Sequence, residues 1–313
     1  EGVIIGYDRS QHGIGTFVGD LIGRVENCSS YATVYGQGAV GGIVGRKSEA
    51  MGMFQVCNCS FFGNVEATGD YVGGVVGSVY KADIAPNPPA VSIENCYATG
   101  LVKGSNYVGG IFGGEGGLEQ CWENGIGYIR NNHFCGTLSA TAQDAIAGGI
   151  IGYMNSLNKY NIILNNYYLS TCGVTKGIGG VRHIDTSALE YGFHDDVFYY
   201  DTSKDDLAAI KLIVDGADDP YQSVVERGLN RTDDPLGKDA DRLSKAMTEE
   251  EFRDGTVVKL LNGSESSLHN WEQGKKYPVH SSAPIVYELT VSGEYKTTYL
   301  VGEELDLSGA VFT

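Results

Sequence analysis

Short apolar runs, broken by Gly and Asn, recur in a fixed order along the first 180 residues. The clearest unit is Val108-Gly109-Gly110-Ile111-Phe112-Gly113. Related copies read Val18-Gly19-Asp20-Leu21-Ile22-Gly23, Val40-Gly41-Gly42-Ile43-Val44-Gly45, Val72-Gly73-Gly74-Val75-Val76-Gly77 and Ala147-Gly148-Gly149-Ile150-Ile151-Gly152, at intervals of 22 to 39 residues. A last copy decays to Gly177-Ile178-Gly179-Gly180. A second unit is Ile93-Glu94-Asn95-Cys96, matched by Val25-Glu26-Asn27-Cys28, Val56-Cys57-Asn58-Cys59, Ile129-Arg130-Asn131-Asn132 and Ile163-Leu164-Asn165-Asn166. Aligning these units yields an Asn column, a Cys/Asn column, and four residues later a small-residue column of Ala32, Gly63, Gly100, Gly136 and Ser170.

Such periodicity predicts stacked coils of two or three short strands, each unable to bury its apolar face alone. The fold class expected is all-β: a parallel β-helix (β-solenoid) of about five coils. Asn tolerates left-handed backbone and Gly does so without steric cost, so both mark bends. Asn side chains in successive coils, about 4.8 Å apart, should bond as a ladder. Insertions fall between each glycine unit and the next Asn, and one contains Pro86-Asn87-Pro88-Pro89. They should gather along one edge, where Tyr80, Trp122, Tyr153 and Tyr160 are the candidate ligand-binding strip.

The V-G-G-[IV]-[VIF]-G unit, with I-E-N-C-Y-A-T-G-x-V before it, resembles the GLUG repeat of bacterial surface and secreted proteins, adhesin-like proteins and some immunoglobulin-A proteases among them. The resemblance covers roughly residues 13 to 180. It implies export and a solenoid module within a longer chain, and it implies no catalytic residue.

Beyond residue 181 the pattern stops and Asp-rich segments begin. Asp205 to Val214 reads as a short helix. A stronger helix signal starts at Thr248, an N-cap with Glu251 completing a capping box, and runs through Phe252, Val257, Leu260 and Leu261 to Asn262-Gly263. With Trp271 to Val279 it reads as a small mixed α/β cap over the last coil's open edge. The final stretch, from Tyr287 through Tyr299-Leu300-Val301-Gly302-Glu303 to Gly309, resembles the opening of a bacterial Ig-like domain. The boundaries expected are 1–181 for the solenoid, 182–284 for the acidic insertion and cap, and 285–313 for the Ig-like segment.

Composition narrows the partners. A net charge of −17, from 22 Lys+Arg against 39 Asp+Glu, disfavours nucleic acid and anionic membrane surfaces. No apolar run is long enough to span a bilayer. All seven cysteines lie between residues 28 and 172. In the stacked column Cys28, Cys59 and Cys96 should behave as small buried hydrophobes. The six histidines are scattered without H-E-x-x-H, and His183, Asp185, His194, Asp195 and Asp196 form the one local His/Asp cluster. Asp215, Asp218 and Asp219 are the candidate calcium ligands, since hard cations take carboxylate oxygens; no other cofactor is indicated. Gly36-Gln37-Gly38-Ala39-Val40-Gly41 matches G-x-G-x-x-G, but no long helix pattern follows, so a bend is expected there.

The outer column Glu26, Cys57, Glu94, Arg130, Leu164 is not the paired-carboxylate set a glycosidase needs. The sequence therefore points to a non-catalytic, extracellular surface or secreted module that binds a host protein or glycan, flanked by Ig-like domains. The alternative is a carbohydrate-active β-helix enzyme or an accessory module of a secreted peptidase.

Overall fold

The computed structural model describes residues 2–6, 12–47, 52–79, 91–115, 127–157, 161–184, 244–262, 271–281, 291–292 and 311–312. The chain divides into two compact units, Glu1–His280 and Ser281–Thr313. In the second, Val291–Ser292 pairs antiparallel with Val311–Phe312.

The first unit is a parallel β-helix. A full coil contributes one strand to each of five sheets, numbered here in chain order from Gly23; among the described residues the fifth coil adds strands to sheets 1, 2 and 5. Sheet 1 stacks Gly23–Glu26, Phe54–Cys57, Val91–Glu94, Gly127–Arg130 and Asn161–Leu164. Sheet 2 begins with Ser29–Ser30, Ser60–Phe61, Tyr97–Ala98, His133–Phe134 and Asn166–Leu169. Sheet 3 runs from Val3–Ile5 through Thr33–Gly36, Val65–Ala67 and Leu101–Gly104 to Thr137–Ala140. Sheet 4 holds the Val-Gly pairs Val40–Gly41, Val72–Gly73 and Val108–Gly109 with Ala147–Gly148, and sheet 5 runs from Val18–Leu21 to Ile178–Ile184. Five coils follow one another from Gly23, with a partial coil before them.

The columns predicted from sequence are stacked in register. Val25, Val56, Ile93, Ile129 and Ile163 align in sheet 1 and point inward, all 8% exposed or less. The five Asn residues turn the chain from sheet 1 to sheet 2 in left-handed backbone, with φ between 52° and 56°. Their amides form a ladder in two pieces. Asn58 Nδ2 donates to Asn27 Oδ1 (3.3 Å) and Asn165 Nδ2 to Asn131 Oδ1 (2.6 Å), while the buried Asn95 amide finds no partner among the described atoms. In the next column Cys59 and Cys96 are fully buried; Asn132 and Asn166 continue it, and Asn132 Nδ2 donates to Asn166 Oδ1 at 3.0 Å. The six described cysteines are free thiols.

The glycine unit's register differs from the sequence reading at its first copy. Val18 pairs with Val44 and Ile14 bridges to Val40, so the first copy is Ile14-Gly15-Thr16-Phe17-Val18-Gly19 and not Val18–Gly23. The second glycine of each unit faces a sheet 2 side chain across the core. A Cβ on Gly42 would meet Phe61 Cγ at 2.4 Å, on Gly110 Phe134 Cγ at 2.4 Å, and on Gly149 Tyr168 Cγ at 2.2 Å. In the first copy Thr16 holds this place, and the residue facing it is Ser30, whose Oγ donates to Thr16 Oγ1 at 3.3 Å. The small-residue column is as crowded: a Cβ on Gly100 would lie 1.8 Å from the Gly63 carbonyl oxygen.

Ser244–Met247 pairs parallel with Asn166–Leu169 as the sixth strand of sheet 2. This strand, placed in the cap region by the sequence reading, begins a partial sixth coil. Helix α1 (Glu249–Arg253) follows directly, with Thr248 and Glu251 forming the expected capping box. Gly255, at φ 89°, separates it from α2 (Thr256–Asn262), so the single helix expected is two. A hairpin, Trp271–Gln273 with Pro278–His280, completes a strap. Instead of covering only the last coil's edge, the strap lies on the outward face of sheet 2. Its Phe252, Val257, Leu261 and Trp271 form a second core with Tyr97, Tyr167 and Met247.

Gly110→Ala should destabilise the fold by about 3 kcal/mol or more, because its Cβ would sit 2.1 Å from the Gly149 carbonyl oxygen and cannot be relieved by a rotamer change. Gly2→Ala, with nothing within 4 Å of the new atom, should change stability by less than about 0.5 kcal/mol. Chemical denaturation of the two variants checks this; equal losses would contradict the stacked register.

Candidate binding surfaces

The corner between sheets 3 and 4 carries an aromatic ladder. Tyr71 and Tyr107 immediately precede the Val-Gly pairs Val72–Gly73 and Val108–Gly109, and both sit in left-handed backbone, at φ 62° and 53°. The same corner in the coil before holds Ala39 at φ 50°. Left-handed backbone is a true outlier for a bulky residue and costs on the order of 1–3 kcal/mol. The corner is held by ladder bonds, Tyr71 N to the Asn106 carbonyl (3.2 Å) and Ala39 N to the Asp70 carbonyl (3.0 Å). Asn106 Oδ1 accepts from Ile146 N at 2.7 Å, tying the corner to the next coil.

The rings stack along the coils. Tyr71 and Tyr107 have centroids 4.8 Å apart at 30°, and Tyr107 and Tyr153 4.5 Å apart at 36°. Tyr153 reaches the ladder from sheet 5, where its neighbours in register are Gly114 and Gly180. A Cβ on Gly180 would be in ordinary contact with Tyr153 Cδ2 at 3.7 Å, and one on Gly114 would lie 3.1 Å from Tyr153 Cβ. All three tyrosines are half-buried.

A second aromatic row runs along the outward face of sheet 2. Tyr31 stacks on Phe62 (4.5 Å, 14°), Phe62 meets Tyr97 edge-on (5.5 Å, 85°), and Tyr97 stacks on His133 (4.8 Å, 18°). The strap covers this row from Tyr97 onward, and Tyr31 stays 60% exposed. Two histidines pin the strap reciprocally. His133 of the solenoid donates from Nε2 to the Pro278 carbonyl of the strap (2.9 Å), and His280 of the strap donates from Nε2 to the Asn95 carbonyl of the solenoid (2.7 Å). Complete burial drives the His133 pKa down to about 3; the Pro278 carbonyl opposes the shift, and His280 adds to it. A neutral imidazole that donates from Nε2 has a bare Nδ1, which faces the Cys135 thiol at 3.7 Å.

Thiol acidity differs along the cysteine column: the hydrogen bond with the Cys96 thiol lowers the Cys59 pKa against the opposing effect of burial. Burial pushes the Cys57 thiol up to about 12, helped by the Glu94 carboxylate, and raises Cys96 and Cys135 as well. Among the described residues no three His, Cys, Asp or Glu side chains are grouped to hold a metal ion. His12, Asp20 and Arg46 form an ion-paired cluster, Nδ1 of His12 lying 2.7 Å and Nε of Arg46 2.5 Å from the Asp20 carboxylate. Among the described residues no helix is long and apolar enough to cross a membrane.

Of the residues singled out from sequence, Tyr153 lies in the corner ladder. Tyr80, Trp122 and Tyr160 lie outside the described residues, as do Asp215, Asp218 and Asp219 and the helix expected over 205–214. Of the His/Asp cluster only His183 is in a described strand, the end of sheet 5. Tyr71 and Tyr107 were the residues missed. Their signal was an aromatic in the same slot, directly before V-G-G, in two consecutive copies.

A scan against protein-family models finds no match, and a search of curated proteins finds none either. The resemblance to the GLUG repeat therefore rests on the motif columns alone. Among solved structures, the chain is similar to a crystal structure named "putative immunoglobulin A1 protease" from Bacteroides ovatus, at 19% identity and a TM-score of 0.47. The similarity covers 88% of this chain and 65% of that one, so the chain spans less than two thirds of that protein's length.

Lowering the pH should loosen the strap. The folded His133 pKa of about 3 lies below the unfolded value of about 6.5, so the unfolded form binds the extra proton. The stability is fully present above pH 6.5 and drains away as pH falls toward 3, by up to about 1.4 kcal/mol per pH unit. Trp271 fluorescence across an acid titration reads the loosening, and His133→Phe should flatten the profile. An unchanged profile in that variant would assign the acid sensitivity to other groups.

Proposed function

We propose that this chain is a non-catalytic display and adhesion module of an exported bacterial protein, and that it contacts a host extracellular protein or glycan through the tyrosine ladder. The observation that carries this reading is the placement of Tyr71 and Tyr107 at a corner where Asn, Gly or Ala would be less strained. Ala39 occupies the same corner in the same backbone conformation, so the fold does not require a ring there. Backbone strain held at a half-exposed aromatic site is a common mark of selection for recognition. Tyr also supplies wide contact area with a polar tip at low entropy cost. The extracellular setting draws on the GLUG-like columns and on the Ig-like closing stretch.

Asn accepts left-handed backbone, so Tyr71→Asn with Tyr107→Asn removes the rings while relieving the strain. Combined with Tyr153→Ala, these changes should leave the melting temperature within a few degrees and weaken binding to the retained matrix protein or glycan at least about 10-fold. A glycan and extracellular-matrix binding screen of the parent and triple variant checks this. Retained binding in the variant, or polysaccharide hydrolysis by a parent that binds nothing, would sink the reading.

A further inference from the structure

Cys28, Cys59 and Cys96 each stand one residue before strands that stack in register in sheet 2, Ser29 on Ser60 and Ser60 on Tyr97. Their thiols are placed alike. Each Sγ donates to the carbonyl two residues back in its own coil: Cys28 to Glu26 (3.2 Å), Cys59 to Cys57 (3.1 Å) and Cys96 to Glu94 (3.2 Å). Sulfur therefore repeats along the column at the coil spacing, about 4.8 Å. The Cys59 thiol is hydrogen-bonded to the thiols on both sides, Cys96 in the coil after and Cys28 in the coil before. Cys59 and Cys96 are fully buried.

The fold does not need sulfur here. The next two coils carry Asn132 and Asn166 in the same column, and an amide serves the backbone better. Asn132 Nδ2 donates to the Ile93 carbonyl at 2.8 Å, as the Cys96 thiol does to Val56 at 3.4 Å. Asn132 Oδ1 also accepts from Cys96 N at 2.8 Å. A thiol offers no such oxygen to the coil before it, yet three consecutive coils use one. What two stacked thiols can do, and two amides cannot, is hold a soft metal ion. A metal–thiolate bond of about 2.3 Å, taken twice in line, spans about 4.6 Å, close to the coil spacing. Structural zinc takes four ligands and iron–sulfur clusters four cysteines, whereas the described residues group no three such side chains. Cu(I) is the remaining soft ion that thiolates select, and it accepts two sulfurs in a line.

We propose that the column binds one Cu(I) ion between the sulfurs of Cys59 and Cys96, in a linear two-coordinate site enclosed within the coils. The ion takes the place of the hydrogen shared by the two thiols. Cys59 loses its proton to solvent as the copper–sulfur bond forms, and the Cys96 thiol keeps its proton and donates a lone pair. Copper stays monovalent, so no electron is exchanged. One thiolate and one monovalent cation leave the core without net charge, the condition for burying an ion in apolar surroundings. The bond ties the second coil to the third where the chain bends from sheet 1 into sheet 2. The site stands apart from the tyrosine ladder and does not depend on the adhesion reading.

The test refolds the intact chain with ascorbate-reduced copper, since both sulfurs are enclosed, and then challenges it with a coloured Cu(I) chelator. The parent should retain one ion per chain, and X-ray absorption should show two sulfur neighbours. Cys59→Ala should retain none. Cys96→Asn should also retain none, and should keep the fold because it repeats the residue that the next coil places in this column. Cys28→Ser and Cys57→Ser, the latter in the outer column of sheet 1 beside Glu94, should each keep the ion. Far-UV circular dichroism checks the folding of every variant. A parent that keeps no ion, three or more sulfurs around it, or a folded Cys59→Ala or Cys96→Asn chain that still holds it would each overturn the inference. Loss of the ion in Cys28→Ser or Cys57→Ser would overturn it too, because another sulfur would then be a ligand.

Discussion

The constraint on which this fold depends is the thinness of its core. Opposite walls of each coil approach so closely that a sheet 2 ring sits over the α-carbon of the second glycine in the V-G-G unit. Phe61 over Gly42, Phe134 over Gly110 and Tyr168 over Gly149 repeat the arrangement coil after coil. Where the large partner is absent, as at Ala98 opposite Gly74, the gap narrows less severely, to 2.7 Å for an added Cβ. At the first copy both sides change together, to Thr16 and Ser30, and a hydroxyl pair replaces ring against hydrogen. Glycine here serves volume first. Its φ is unremarkable at these positions, in contrast to the Asn bends, where left-handed backbone is the requirement.

This division explains what could be read in the sequence. Columns set by local geometry were visible, because only a few residue types satisfy them: Asn at the left-handed bend, Gly or Ala where one coil's backbone presses on the next, Val or Ile pointing inward. Register across copies was harder. Val18-Gly19 and Ile14-Gly15 both resemble the start of a unit, and only the pairing of Val18 with Val44 separates them. The sixth strand of sheet 2 was invisible for another reason. Ser244-Lys245-Ala246-Met247 carries no Asn or glycine signature, and some sixty residues separate it from the sheet 5 strand ending at Ile184. Tertiary pairing decides such a strand and local pattern does not. Of the candidate binding residues, Tyr153 is the one that falls in a described element, the half-buried middle of a sheet 5 strand. The corner tyrosines were less legible because an aromatic stands directly before the glycine unit in two copies only, where other copies carry Ala39 and Ile146.

The strap shows how a solenoid face can be covered without an end cap. Sheet 2 presents Tyr97, His133 and Tyr167 outward, an apolar row that would otherwise be exposed. The strap supplies Trp271, Tyr277 and His280 to it and satisfies the polar atoms by crossed histidine-to-carbonyl bonds. Neutral imidazole suits this position because it buries ring area like an aromatic residue while still donating one hydrogen bond. The Asn ladder is interrupted at the residue whose backbone carbonyl the strap binds. His280 takes the Asn95 carbonyl, and the Asn95 amide is the one that bonds to neither described neighbour in its column. The ladder is thus a register device that tolerates one missing rung, not a continuous requirement of the coil.

A stacked aromatic contact contributes only about 0.5–1.5 kcal/mol beyond its area, so a three-ring ladder on one chain makes a weak site by itself. Repetition is the physical remedy. Under the adhesion reading proposed above, a partner with repeated epitopes, such as a matrix fibre or a polymeric glycan, would meet several displayed ladders at high effective concentration, and avidity can exceed single-site affinity by about 10²–10⁴ where the spacing matches.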